Sequence, residues 1–201
     1  MVLFAGLAFT LGLCITLYIG KTASAQMSKS SGQTLYIAAK SISNTLANSL
    51  TEREREMVLL SQSPFIAEAD FNNPRVQQQL DQVKKSYQYY AWLGIANPEG
   101  KVEVAANHLL QGADVSERDW FIHGSKRVYL GDVHKAVLLA KKIKAINPNE
   151  PMRFIDFATP IYDPTTHKIK GVLAAHADWS WASNVLNSSL SENAAPRGIE
   201  V

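Results

Sequence analysis

The first twenty residues, MVLFAGLAFTLGLCITLYIG, contain no charged side chain. As a helix rising 1.5 Å per residue, such a run covers about 30 Å, the thickness of a bilayer's hydrocarbon core. Ala23-Ser24-Ala25 has the small-residue pattern of a signal-peptide cleavage site. A signal peptide, however, carries a basic leader and a shorter apolar core, so the length predicts a retained transmembrane helix over residues 1–20. Charge says little about its orientation. Lys21 and Lys29 follow the span and no basic residue precedes it, which leans toward a cytoplasmic C-terminal side.

The rest of the chain has an ordinary globular make-up. Of 201 residues, 46% are hydrophobic and 19% charged, enough for one domain with some surplus. A net charge of +2 gives no electrostatic case for nucleic acid. The single cysteine, Cys14, excludes a disulfide framework and any cysteine-rich metal site. There is no phosphate-binding glycine loop, dinucleotide fingerprint, His-Glu-x-x-His helix or serine nucleophile elbow, and nothing calls for a cofactor.

Between residues 28 and 62, Ile42, Leu46, Leu50, Met57 and Leu60 recur at helical spacing, and Pro64 ends the run. The string Glu52-Arg53-Glu54-Arg55-Glu56 supplies i,i+3 surface pairs. A second helix is expected from Pro74 to about Tyr89, capped by Asn73. The period then changes. Trp92–Ala96, the turn Asn97-Pro98-Glu99-Gly100 and Lys101–Val104 read as a hairpin. Ser116 with Asp119 three residues on has capping-box spacing for a short helix. Further strands are expected at Val128–Leu130, Val137–Ala140, Arg153–Tyr162 and Lys168–Ala177. Asp163-Pro164-Thr165-Thr166-His167 joins the last two. A final helix runs from about Trp181 to Leu190, and residues 191–201 read as a linker opening a further strand. The order predicts an α+β fold, a long N-terminal helix packed on an antiparallel sheet.

Five segments carry a family resemblance. Tyr90–Ala96, Val115–Phe121, Val128–His134, Arg153–Pro160 and Gly171–Ala182, in this order after a membrane span, resemble the Cache family of extracytoplasmic sensors. The match is to the membrane-distal module of its double Cache members and covers residues 28–190. The resemblance implies a PAS-like fold outside the cytoplasm, in a bacterial chemoreceptor, histidine kinase or diguanylate cyclase of the inner membrane. It also implies that residues 191–201 lead into a second module, so that the chain is part of a longer receptor.

The resemblance singles out Arg118-Asp119-Trp120-Phe121. In amino-acid-binding members an Arg-x-Trp-aromatic run grips the ligand carboxylate, and a later aspartate holds its amine. Arg118, Trp120 and Phe121 match that run, and Asp132 and Asp156 both qualify for the aspartate by type. The family's upstream tyrosine is replaced by Ala113, which broadens the implied ligand to a small organic anion or amine. Chemistry independently favours Arg118, whose planar fork binds a carboxylate bidentately, beside aromatic walls. Paired with an internal carboxylate instead, Arg118 is structural and Trp120 is core. Tyr129, Asp132 and His134 are near-alternating and add polarity to one face of a strand. Asp132-x-His134 with His123 is a metal triplet by residue type, but no metal is expected. Asp156, among Phe154, Ile155 and Phe157, needs a cationic partner if it faces the core, from Arg118 or a ligand. His176 carries no motif.

Three functions compete. The first is a ligand-sensing module of a membrane receptor, binding a small metabolite and pairing with a second copy through its stalk helix. The second is a structural or dimerisation domain that binds nothing. The third is an extracytoplasmic enzyme using Asp132, His134 or His123.

Overall fold

In the computed structural model the described residues are 2–135, 139, 142, 143 and 152–193. Helix α1 (Val2–Ser61) runs unbroken through the expected span and stalk. The chain divides into two compact units, residues 1–45 with 188–201 and residues 46–187. In the first unit, α1 contains one stretch long and apolar enough to cross a membrane, with mean hydropathy 2.0. Three threonine hydroxyls are satisfied within the helix. Thr10, Thr16 and Thr22 donate to the carbonyls of Gly6, Gly12 and Tyr18 at 3.1, 2.9 and 2.8 Å. In lipid, where no water can take that proton, the arrangement removes the cost of an unpaired donor.

The second unit is built on a five-stranded antiparallel sheet. The last turns of α1 are followed by α2 (Pro64–Ala67) and α3 (Pro74–Ser86), then β1 (Tyr90–Ala96) and β2 (Val102–Ala105). A 3-10 turn (Ala106–His108), α4 (Asp119–Gly124), β3 (Tyr129–Leu130), β4 (Phe154–Tyr162), β5 (Ile169–Asp178) and α5 (Ser180–Asn193) complete it. The strand order is β2-β1-β5-β4-β3, and every neighbouring pair is antiparallel. This is the α+β class expected.

Strand periodicity separates two apolar clusters, one on each face. On one face Leu93, Ile95, Phe157, Ile161 and Leu173 meet Met57 of α1 and Val76 and Leu80 of α3. Burying each such side chain contributes about 1.5–3 kcal/mol. Tyr90 joins them because a bulge between Tyr90 and Trp92 shifts its phase. On the other face Trp92, Ala96, Phe154, Ala158, Val172 and Ala174 meet Trp120 and Phe121 of α4.

Several local features differ from expectation. Pro64 ends α1 but also opens α2 as its first residue. Asn73 caps α3 as expected, its side chain accepting from the Arg75 amide at 3.0 Å. Ser116 does not cap α4, which begins only at Asp119; its amide instead donates to the Asp114 carboxylate at 2.9 Å in a turn. Arg118 is the residue before the helix instead. The expected strand at Val137–Ala140 lies outside the described residues except for Leu139, which is helical rather than extended, and buried. The final helix reaches Asn193, and residues 194–201 lie outside the described residues. Of the charged string, Arg55 and Glu52 form a surface pair, but Arg53 and Glu56 are drawn inward. Arg53 lies 4.7 Å over the Tyr89 ring, and Glu56 accepts from the Tyr90 hydroxyl at 3.1 Å. Burial, and then the Glu56 carboxylate, push the Tyr90 phenol upward.

Two tight turns set the register. At Gly100, φ is +83°, and a Cβ there would meet the Ser116 backbone at 2.6 Å, so only glycine fits. At the β4–β5 turn the Asp163 carboxylate accepts from the amides of Thr166 and Thr165, at 2.7 and 2.9 Å. These bonds, that to the Thr166 amide foremost, hold its pKa below the ordinary value of 3.8. A lowered folded-state pKa contributes stability above the unfolded value and loses it as pH falls through the folded one. Asp163→Ala therefore melts lower than the parent at pH 7. The difference narrows as pH falls below the ordinary aspartate range, which melting curves taken at successively lower pH will show.

Candidate functional site

The sheet face covered by α4 carries the site. Paired residues on neighbouring strands share a face, so register alone assembles a row of side chains. His176 on β5 is paired with Trp92 on β1 and with Asp156 on β4. Beyond Asp156 lies Gly131, whose amide donates to the Asp156 carbonyl at 2.8 Å. Regular pairing would then set Val133 opposite Phe154. Instead His134 pairs with Phe154, exchanging both backbone hydrogen bonds at 2.9 Å. One extra residue, a bulge, thus turns the His134 ring onto the face of Asp156. Gly131 has no side chain to fill the space between, and a Cβ there would lie 3.2 Å from that of Asp156.

A cavity of about 260 Å³ opens over this row. Trp120, Tyr129, Asp156 and His176 form its inner wall, and Arg118, Asp119, Asp132, His134 and Lys135 bring charge to it. Leu110, Val115 and Leu139 supply apolar surface. Trp92 stands behind, its indole nitrogen donating to the Leu109 carbonyl at 2.7 Å and tying the loop down. The rings of Trp92 and Trp120 are 5.7 Å apart, and the His176 ring lies 5.1 and 6.1 Å from them.

Five of the six residues singled out by sequence line this cavity: Arg118, Trp120, Tyr129, Asp132 and Asp156. Phe121 does not. It is buried behind Trp120, edge-on at 6.0 Å, as part of the apolar cluster. The Tyr129 ring stacks on His123 at 5.1 Å. Burial raises its phenol pKa, and the carboxylates of Asp119, Asp156 and Asp132 raise it further.

The partner of Asp156 differs from expectation. Its carboxylate faces the core side of the sheet at 6% exposure, as does His176 at 7%. It is bound not by Arg118 but by His176 Nδ1, in close contact, with His134 Nε2 at 3.5 Å from the other oxygen. The guanidinium of Arg118, by contrast, is exposed and has no hydrogen bond or ion pair among the described residues. The His123–Asp132–His134 triplet does not assemble either, since His123 is occupied with Tyr129 and Asp132 Oδ1 accepts from the Val133 amide at 2.7 Å. Sequence reasoning gave His176 no role. Counting outward from the Tyr162–Ile169 pair beside the turn would have set Ala175 opposite Asp156. Only the irregularity between Ile161 and Tyr162 shifts the register by one and brings His176 there.

No protein-family model and no curated protein sequence matches the chain. Solved structures do match in fold. One is an extracellular ligand-binding receptor from Desulfohalobium retbaense, at 15% identity and TM-score 0.54, over 73% of this chain and 25% of that one. Another is the ligand-binding domain of a Pseudomonas aeruginosa amino-acid chemoreceptor in complex with GABA. It has 15% identity and TM-score 0.54, over 75% of this chain and 62% of that one. A third is the sensory domain of a Campylobacter jejuni chemoreceptor with isoleucine bound, at 16% identity and TM-score 0.52, over 77% and 60%. The chain therefore has a fold found in extracellular sensor domains, and spans between a quarter and about three fifths of these structures' lengths.

Proposed function

We propose that residues 46–187 form the ligand-sensing module of a membrane-bound signal-transduction receptor, displayed outside the cytoplasm and anchored by α1. Its ligand is a small metabolite with an anionic group, and the fold's solved relatives make amino acids the first class to consider. One observation carries the reading: a guanidinium without a partner among the described residues, at a cavity whose inner wall holds Asp156 and the tryptophan-flanked His176. A structural arginine finds a carboxylate of its own, whereas one held unpaired beside a cavity is set to receive a planar anion. Asp119 and Asp132 line the same cavity and would answer an amine on the ligand. The cavity is close to the lower end of the ~300–1,000 Å³ usual for small-molecule sites. A domain serving only for dimerisation has no use for this arrangement. Pairing with a second copy along α1, where Leu35, Tyr36 and Ile37 are exposed, is compatible with it.

The test is a thermal-shift screen of amino acids and other small carboxylates on the chain in detergent micelles. A specific ligand raises the melting temperature by mass action. A screen in which no carboxylate shifts melting, while the folded state is confirmed by circular dichroism, defeats the reading. Placement outside the cytoplasm has its own check. A reporter active only in the cytoplasm, fused after Val201, is expected to stay silent in cells, and strong activity would reverse the topology.

A further inference from the structure

We propose that His134, Asp156 and His176 bind a divalent transition-metal ion, zinc by the make-up of the donors. The three side chains each offer a ligand atom, and these atoms lie within 4.8 Å of one another. They come from three adjacent chain segments of one sheet, so the backbone ladder holds their spacing. Two imidazoles and one carboxylate, with positions left for water or a ligand group, make a donor set that suits zinc.

The orientation of His134 carries the argument. Its Nδ1 lies 3.1 Å from the Asp132 carbonyl oxygen, which can only accept, so Nδ1 bears the hydrogen. Nε2 is thereby directed at Asp156 Oδ2, 3.5 Å away. That separation is longer than the ~2.7–3.2 Å of an N–H···O hydrogen bond. Two donors at ~2.0–2.2 Å from one tetrahedral zinc ion stand about 3.3 Å apart, close to the separation of His134 and Asp156. His176 Nδ1, in hydrogen-bond contact with Asp156, must give up its proton and draw back slightly to admit the ion. A backbone carbonyl on the other ring nitrogen is also how metal-ligating histidines are commonly oriented.

The surroundings fit an ion. Asp156 brings a buried negative charge, and the indoles of Trp92 and Trp120 hold the His176 ring in place. The His134 side chain is 41% exposed, which leaves an entry path from the cavity. Neither Asp132 nor His123 takes part, for the reasons given above. The inference does not depend on an organic ligand, although the ion's open positions would face the cavity where one is proposed to bind.

The experiment uses the full chain without a histidine tag, in detergent micelles, stripped with a chelator and dialysed. Zinc is titrated in competition with a chromophoric chelator, and cobalt(II) is added separately to read its visible bands. One zinc per chain is expected, with the visible bands of low-coordinate cobalt. His134→Ala, at the partly exposed ligand, and Asp156→Asn are each expected to weaken zinc binding at least about a hundredfold, beyond the ~10–100-fold typical of an outer-shell loss. His108→Gln, away from the cavity, is expected to bind as the parent does. Failure of the stripped, folded parent to take up zinc, or unchanged affinity in folded His134→Ala, overturns the proposal. The screen of carboxylates in metal-free buffer stands or falls separately.

Discussion

Trp92→Ala is expected to destabilise the sensor unit by about 3–5 kcal/mol, the range for truncating a fully buried aromatic residue. Trp92 is 1% exposed and packs in the cluster between the sheet and α4. Three separate contacts are lost with it. The indole donates to the Leu109 carbonyl, its ring meets Trp120, and its other edge meets His176. The neighbouring backbone has been shaped around it, since a Cβ on Gly94 would stand 2.5 Å from the indole. Such a site collapses poorly, so the cavity left behind adds to the lost transfer energy. Urea unfolding of the chain in micelles, followed by near-ultraviolet circular dichroism, measures the change. Trp181→Ala, in the half-buried first turn of α5, is expected to cost less than half as much. Equal losses would show that Trp92 is not a keystone of the site-bearing face.

What could be read from sequence followed the range of the interactions that decide it. Elements set by local chemistry were legible. Asn73 followed by Pro74 starts α3, Asn97 to Gly100 turns β1 into β2, and Asp163 to His167 turns β4 into β5. Strands β4 and β5, nearly continuous buried runs, lie within one residue of their expected ranges. The cap expected at Ser116 was misplaced, since Ser116 sits in a turn made by Asp114 and the helix begins at Asp119. The site was legible in membership and illegible in pairing. Residue type and resemblance pointed to Arg118, Trp120, Phe121, Tyr129, Asp132 and Asp156, and all but Phe121, which packs in the apolar cluster, line one cavity. That Asp156 is bound by His176 depends on register across twenty residues of hairpin. That His134 joins them depends on a single-residue bulge, which no periodicity announces.

Arg118→Ala is expected to weaken ligand binding about tenfold to a hundredfold while leaving the fold intact. The guanidinium is exposed and unpaired among the described residues, so its removal breaks nothing that holds the unit together. Surface substitutions of this kind usually change stability by no more than ~0.5 kcal/mol. Bound to a carboxylate, however, it forms charge-assisted hydrogen bonds worth about 1.5–3 kcal/mol, and each 1.4 kcal/mol is a factor of ten in affinity. Arg118→Lys is not expected to restore binding, because an ammonium is a point charge and cannot reproduce a planar two-pronged contact. Lys135→Ala separates geometry from net charge. Lys135 lies on the same cavity and is exposed, so its loss is expected to weaken binding less and mainly at low salt. Calorimetric titration at two ionic strengths, with a carboxylate that shifts melting of the parent, distinguishes the outcomes. If folded Arg118→Ala binds that ligand as tightly as the parent, the anion is held elsewhere on the cavity wall. If Arg118→Lys restores full affinity, charge rather than the fork is what the site uses, and a monodentate anion replaces the carboxylate as the group recognised.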